Sequence, residues 1–77
     1  MEYKSVHGQQ LLLFFLNHNY VIQDNEFGQV IVCHRNEMDT IATPINIPTN
    51  MIIPPGLLKN TLARGGFTET EFWNEIG

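Results

Sequence analysis

The first pattern along the chain is a run of apolar positions with helical spacing. Leu11, Phe14 and Phe15 fall on one stripe of a helix, with Leu12 and Leu16 close beside it, and Gln9 and Gln10 are good helix formers. This predicts a helix from about Val6 to Asn17 with Ser5 as its N-cap. Gly8 weakens its first turn by about 1 kcal/mol relative to alanine. Asn17-His18-Asn19 then closes the helix with residues that tolerate turn or left-handed backbone. So wide an apolar face requires a cover, either a sheet or another chain.

The pattern then becomes that of strands. Tyr20 to Gln23 is short and rich in β-formers, Asp24-Asn25-Glu26 reads as a turn, and Phe27 to Arg35 holds the clearest strand in Val30-Ile31-Val32-Cys33. Asn36 to Asp39 reads as the next turn. Thr40 to Thr43 and Ile45 to Ile47 form a third extended stretch, and Pro44 between them marks an edge or a bulge because it has no N–H for a ladder. Meandering turns of this kind make the sheet antiparallel. Pro48 to Ile53 reads as loop.

Pro54-Pro55-Gly56 introduces a second helix with Leu57, Leu58, Thr61 and Leu62 as its inward face. Gly65-Gly66 stops it, and Phe67 is placed to fold back on it as the hydrophobic contact of the cap. Thr68-Glu69-Thr70-Glu71 is a capping box for a short last helix whose apolar face is Phe72, Trp73 and Ile76. The expected fold is therefore α+β: helix, three-stranded antiparallel sheet, helix and short C-terminal helix, in a single domain over 1–77 without repeats or linkers.

Composition narrows the function classes. With 43% apolar and 16% charged residues the chain is globular rather than disordered. Its single cysteine, Cys33, excludes an intramolecular disulfide framework and a Cys-rich zinc site, which makes a reducing cytoplasm the expected compartment. The longest apolar run, Leu11 to Leu16, is far short of the roughly 20 residues of a membrane helix, so no membrane partner is expected. No cofactor motif is present. Four basic residues, Lys4, Arg35, Lys59 and Arg64, face eight acidic ones, for a net charge of −4. A nucleic-acid binder gathers cations on one surface, because phosphate neutralisation supplies most of its affinity, and this chain has no basic run.

The segment from Ile53 through Pro54-Pro55-Gly56-Leu57-Leu58 to Gly65-Gly66-Phe67-Thr68-Glu69-Thr70-Glu71-Phe72 resembles the closing signature of the HicA toxin family. Ile45-Asn46-Ile47-Pro48 is similar to the strand and proline of that family, and Leu13 to Val21 to its first helix end and strand start. The resemblance implies a small double-stranded-RNA-binding-type fold, an RNA substrate for an mRNA-interferase activity, and neutralisation by a HicB-like antitoxin. HicA toxins cleave RNA with a histidine in a Gly-Ser-His motif at the start of the second strand. Here that stretch is Phe27-Gly28-Gln29-Val30, which puts Val30 at the histidine position when aligned on the glycine, or Gln29 when aligned without a gap. Neither exchanges a proton near neutral pH, so the resemblance implies a catalytically impaired or atypical member.

His34 is the histidine best placed for a relocated acid–base role in such an endoribonuclease, and Arg35 beside it suits a phosphate oxygen. Strict alternation puts His34 on the face of Val30 and Val32, and Arg35 on the other. The plainer reading is a strand-end histidine half in water. Lys4, Arg35, Lys59 and Arg64 are the candidate RNA contacts; the plainer reading of Lys59 and Arg64 is a solvated helix face, with Arg64 complementing the helix dipole. His7 and His18 flank the first helix too far apart to share a metal and read as surface residues, while Cys33 reads as a small hydrophobe. Two functions from different classes follow: an RNA-associated toxin-family protein, or a protein-interaction module on the same fold. The apolar surplus of the first helix adds a homo-oligomer to the expected partners.

Overall fold

The computed structural model describes residues 5–35 and 44–76. Lys4, the turn expected at 36–39 and the extended segment expected at 40–43 lie outside these residues. In chain order the elements are β1 (Val6–His7), α1 (Gly8–Asn17), β2 (Tyr20–Glu26), β3 (Gln29–His34), β4 (Ile45–Pro48), β5 (Ile52–Ile53), α2 (Pro55–Arg64) and α3 (Glu69–Ile76). Strands β2, β3 and β4 form a three-stranded antiparallel sheet in that order, and β1 pairs separately with β5. The architecture is thus the expected α+β arrangement of three helices and an antiparallel sheet.

Sheet register decides which side chains meet the helices. Val30 pairs with Ile47 and Val32 with Ile45, and these four are buried together with Leu11, Phe14 and Phe15 of α1, Leu58 and Leu62 of α2, and Phe72 of α3. The helices therefore cover one face of the sheet, and the broad stripe of α1 is satisfied within the chain. Ile31, Asn46 and Asp24 share the other face.

Four local expectations are corrected. Helix α1 begins at Gly8 rather than Val6, and its N-cap is His7 rather than Ser5. The reason is non-local: Val6 and His7 pair with Ile53 and Ile52, which holds them extended. His7 replaces the expected cap, accepting from the Gln9 N–H at 3.2 Å through Nδ1 while its own N–H donates to Gln10 Oε1 at 2.9 Å. The same pairing puts a two-residue strand, Ile52–Ile53, in the stretch expected to be loop. Asp24 to Glu26 continues β2 rather than turning, with a bulge between Ile22 and Asp24; the turn is Phe27-Gly28, where Gly28 adopts φ +82°, open to glycine at no steric cost. Leu57 is exposed rather than inward, because the buried stripe of α2 runs through Leu58, Thr61 and Leu62 and Leu57 lies about 100° round the helix from Leu58.

The α2–α3 junction follows its local chemistry. Phe67 N–H donates to Leu62 O at 2.9 Å and Gly66 N–H to Ala63 O at 3.0 Å, the two bonds of a Schellman cap, with Gly66 at φ +82°. Glu71 N–H donates to Thr68 Oγ1 at 3.1 Å while Thr68 N–H donates to Glu71 Oε1 at 3.1 Å, completing the capping box.

Candidate functional site

Strand β3 runs between two ends of the molecule, and the chemistry divides between them. At its start lie the Phe27-Gly28 turn, Gln29, the segment from Pro48 to Ile52 and the first turn of α1. Thr49 N–H donates to Gly28 O at 3.1 Å and Gly8 N–H to Met51 O at 3.0 Å, which draws these pieces together. At its finish lie His34 and Arg35, the start of β2 and β4, and the C-termini of all three helices.

The position that the family resemblance assigns to a catalytic histidine belongs to the first of these ends. Val30 points into the core at 5% exposure, against Ile47, and has no route to solvent for a reacting group. Gln29 is half-buried, and its Nε2 donates to Glu26 Oε2 at 2.9 Å. Neither presents an acid–base group at this end. His34 does not stand in for them: four to five strand residues separate it from Val30 and Gln29, or about 13–17 Å.

The second end gathers most of the residues singled out above. Tyr20 is the register partner of His34, and their rings meet at 5.3 Å between centroids. Arg35 is exposed, and its N–H donates to Asn19 O at 2.8 Å, extending the ladder past the strand. Arg64 Nη2 donates to the Pro44 carbonyl at 3.3 Å. Because Val32 pairs with Ile45, one further step of that register sets Pro44 beside Cys33, so Arg64 belongs to the same end as His34. Lys59 is not part of this group. It lies about 140° round α2 from Arg64, lining an open groove of about 330 Å³ with Ala63, Phe67, Thr68 and Glu69. His34, Arg35 and Arg64 thus lie at one end of the sheet, each held by a different partner, and Lys59 lines a separate groove.

The same end holds an aromatic cluster. Phe14, Phe15, Tyr20 and Phe67 meet in edge-to-face or tilted pairs, and Phe72 packs on Phe14. His18 is more than the surface residue expected: its imidazole meets Phe14 in a tilted pair at 4.4 Å and Phe67 edge-to-face at 5.0 Å, and Nε2 lies 2.6 Å from Glu75 Oε1. His7 likewise works as a cap. Cys33 is buried, as a small hydrophobe would be. Among the described residues no group of His, Cys, Asp or Glu is placed to hold a metal ion, and no helix is long and apolar enough to cross a membrane.

One exposed residue escaped the pattern. Phe27 at the β2–β3 turn is fully exposed, although Phe27-Gly28 between two strands carried a turn signal in its glycine. Its neighbours Asp24 and Glu26 are exposed acids. No family model, curated protein or solved structure matches the chain.

Proposed function

We propose that this chain is a HicA-like domain, on a double-stranded-RNA-binding-type fold, that has lost the family's histidine-based RNA cleavage and works as a protein-interaction module. The observation that carries the reading is the pair at the family's histidine position, where the chain has either Val30, a core valine paired with Ile47, or Gln29, an amide bonded to Glu26. The order of elements and the Pro54 to Ile76 junction support the fold half of the reading. The net charge of −4 supports the interaction half, since phosphate binding depends on a surplus of clustered cations.

A second reading, an RNA-associated toxin-family protein held in check by a HicB-like antitoxin, is favoured by the grouping of His34, Arg35 and Arg64 at one end of the sheet. Expression in a bacterial host separates the two. The interaction reading expects unimpaired growth, intact mRNA and no retention of RNA by the purified protein at low salt. Growth arrest with mRNA loss, abolished by His34→Ala, would establish a relocated nuclease instead.

A further inference from the structure

We propose that the β2–β3 hairpin end is a docking surface for a basic amphipathic segment of another protein. The inference deepens the interaction-module reading and rests on it.

The surface is defined by three exposed apolar residues on two adjoining segments. Phe27 sits at the tip of the hairpin, and Met51 and Ile52 follow Asn50, whose side chain packs on Gly28. An exposed phenylalanine at a turn contributes nothing to the core, and here the backbone that carries it is fixed while its ring faces water. Gly28 fixes the turn at φ +82°, Thr49 N–H donates to Gly28 O at 3.1 Å, and Gln29 Nε2 ties to Glu26 at 2.9 Å. A large exposed aromatic on a fixed turn offers apolar area that a partner can bury, and such side chains are frequent anchors of interfaces.

Charge selects the occupant. Asp24 and Glu26 precede Phe27 on β2 as exposed acids, Asp24 Oδ1 accepting from the Asn25 N–H and Glu26 Oε2 from Gln29 Nε2. The described cations Arg35 and Arg64 instead lie at the far end of β3 and Lys59 on α2. His7 is the nearby titratable group on β1, and it faces the α1 backbone as its cap. An apolar contact with carboxylates on its β2 side fits a segment with an apolar stripe bordered by lysine and arginine. A second copy fits poorly: tip-to-tip contact sets Asp24 and Glu26 against their own copies. The β2 edge is also interrupted by the bulge between Ile22 and Asp24, a feature that keeps edges from pairing.

The test uses the full chain and a short amphipathic leucine–lysine peptide, with its leucine–glutamate counterpart and a single-stranded RNA oligonucleotide as controls. Fluorescence anisotropy should show binding of the lysine peptide alone, weakening as salt rises. Phe27→Ser should weaken it about tenfold or more without changing the melting temperature. Asp24→Asn with Glu26→Gln should weaken it about fivefold and flatten the salt dependence. Leu13→Ser, an exposed apolar position on α1, should change nothing. No binding, equal binding of the glutamate peptide or the RNA, or binding indifferent to Phe27→Ser would overturn the proposal, as would self-association in sedimentation that Phe27→Ser abolishes. Failure here with harmless expression removes only the docking surface, whereas growth arrest with mRNA loss removes the non-catalytic reading itself.

Discussion

The two ends of strand β3 are built by different means. At the His34 end side chains hold the structure: Phe14, Phe15, Phe67 and Phe72 interlock, Tyr20 covers His34, and His18 bridges α1 to Glu75 on α3. At the Phe27 end Val6, Ile47 and Ile53 are buried as well, but the loops are drawn in by backbone contacts, Gly8 N–H to Met51 O, Thr49 N–H to Gly28 O and the pairing of Gln29 with Pro48. Side-chain packing excludes water and buries the groups it uses. Backbone contact leaves side chains free to face outward, and this end keeps Phe27, Met51 and Ile52 exposed. The end rich in histidine and arginine is therefore also the end most committed to stability.

The largest effect that follows is on the packed end. Phe14 is fully buried and touches Phe15, His18, Phe67 and Phe72, so Phe14→Ala should cost about 4 kcal/mol in urea unfolding. A loss below about 2 kcal/mol would mean that this cluster collapses readily around the gap, and the contrast between the ends would weaken. The backbone-built end is probed by Gly8→Ala. A Cβ there would lie 1.7 Å from the Pro48 carbonyl oxygen and 2.9 Å from Thr49 Cα, both backbone atoms that no rotamer change can move. Overpacking of about 3 kcal/mol against a helix-propensity gain of about 1 leaves a net loss of about 2 kcal/mol. Amide exchange should report it first at Gly28 and the 49–52 segment. A neutral or stabilising Gly8→Ala would show that the segment yields, and that backbone contact is not what holds this end.

What the sequence made legible follows the same division. Helix α1 was readable from Leu11, Phe14 and Phe15, and the α2–α3 junction from Gly65-Gly66, Phe67 and the Thr68–Glu71 box, because each rests on contacts within a few residues. The start of α1 was not, since the extended backbone of Val6 and His7 is imposed by Ile52 and Ile53, far along the chain. Asp24-Asn25-Glu26 looked like a turn for a physical reason: it is the exposed part of an edge strand, where polar side chains meet water on both faces. The true turn needs Gly28 at φ +82°, which places Phe27 in the turn rather than at the start of the strand. Of the site, His34 and Arg35 were adjacent in sequence, but the arrival of Arg64 at Pro44 depends on how α2 lies on the sheet.

The smallest effect asks what His18 contributes to the packed end, as a charge or as a ring. Its side chain and that of Glu75 are each about a third exposed, so their contact is screened by solvent, and a double-mutant cycle of His18→Ala and Glu75→Gln should give a coupling of only about 0.5 kcal/mol. The ring is the larger part. The tilted contact with Phe14 at 4.4 Å and the edge-to-face contact with Phe67 at 5.0 Å should make His18→Ala cost about 1 kcal/mol more than Glu75→Gln, while His18→Phe recovers most of that loss. A coupling above about 2 kcal/mol, or a His18→Phe variant no better than alanine, would mean that α3 is latched by charge. The His34 end would then be held by an ion pair across α1 and α3 as much as by its aromatic packing.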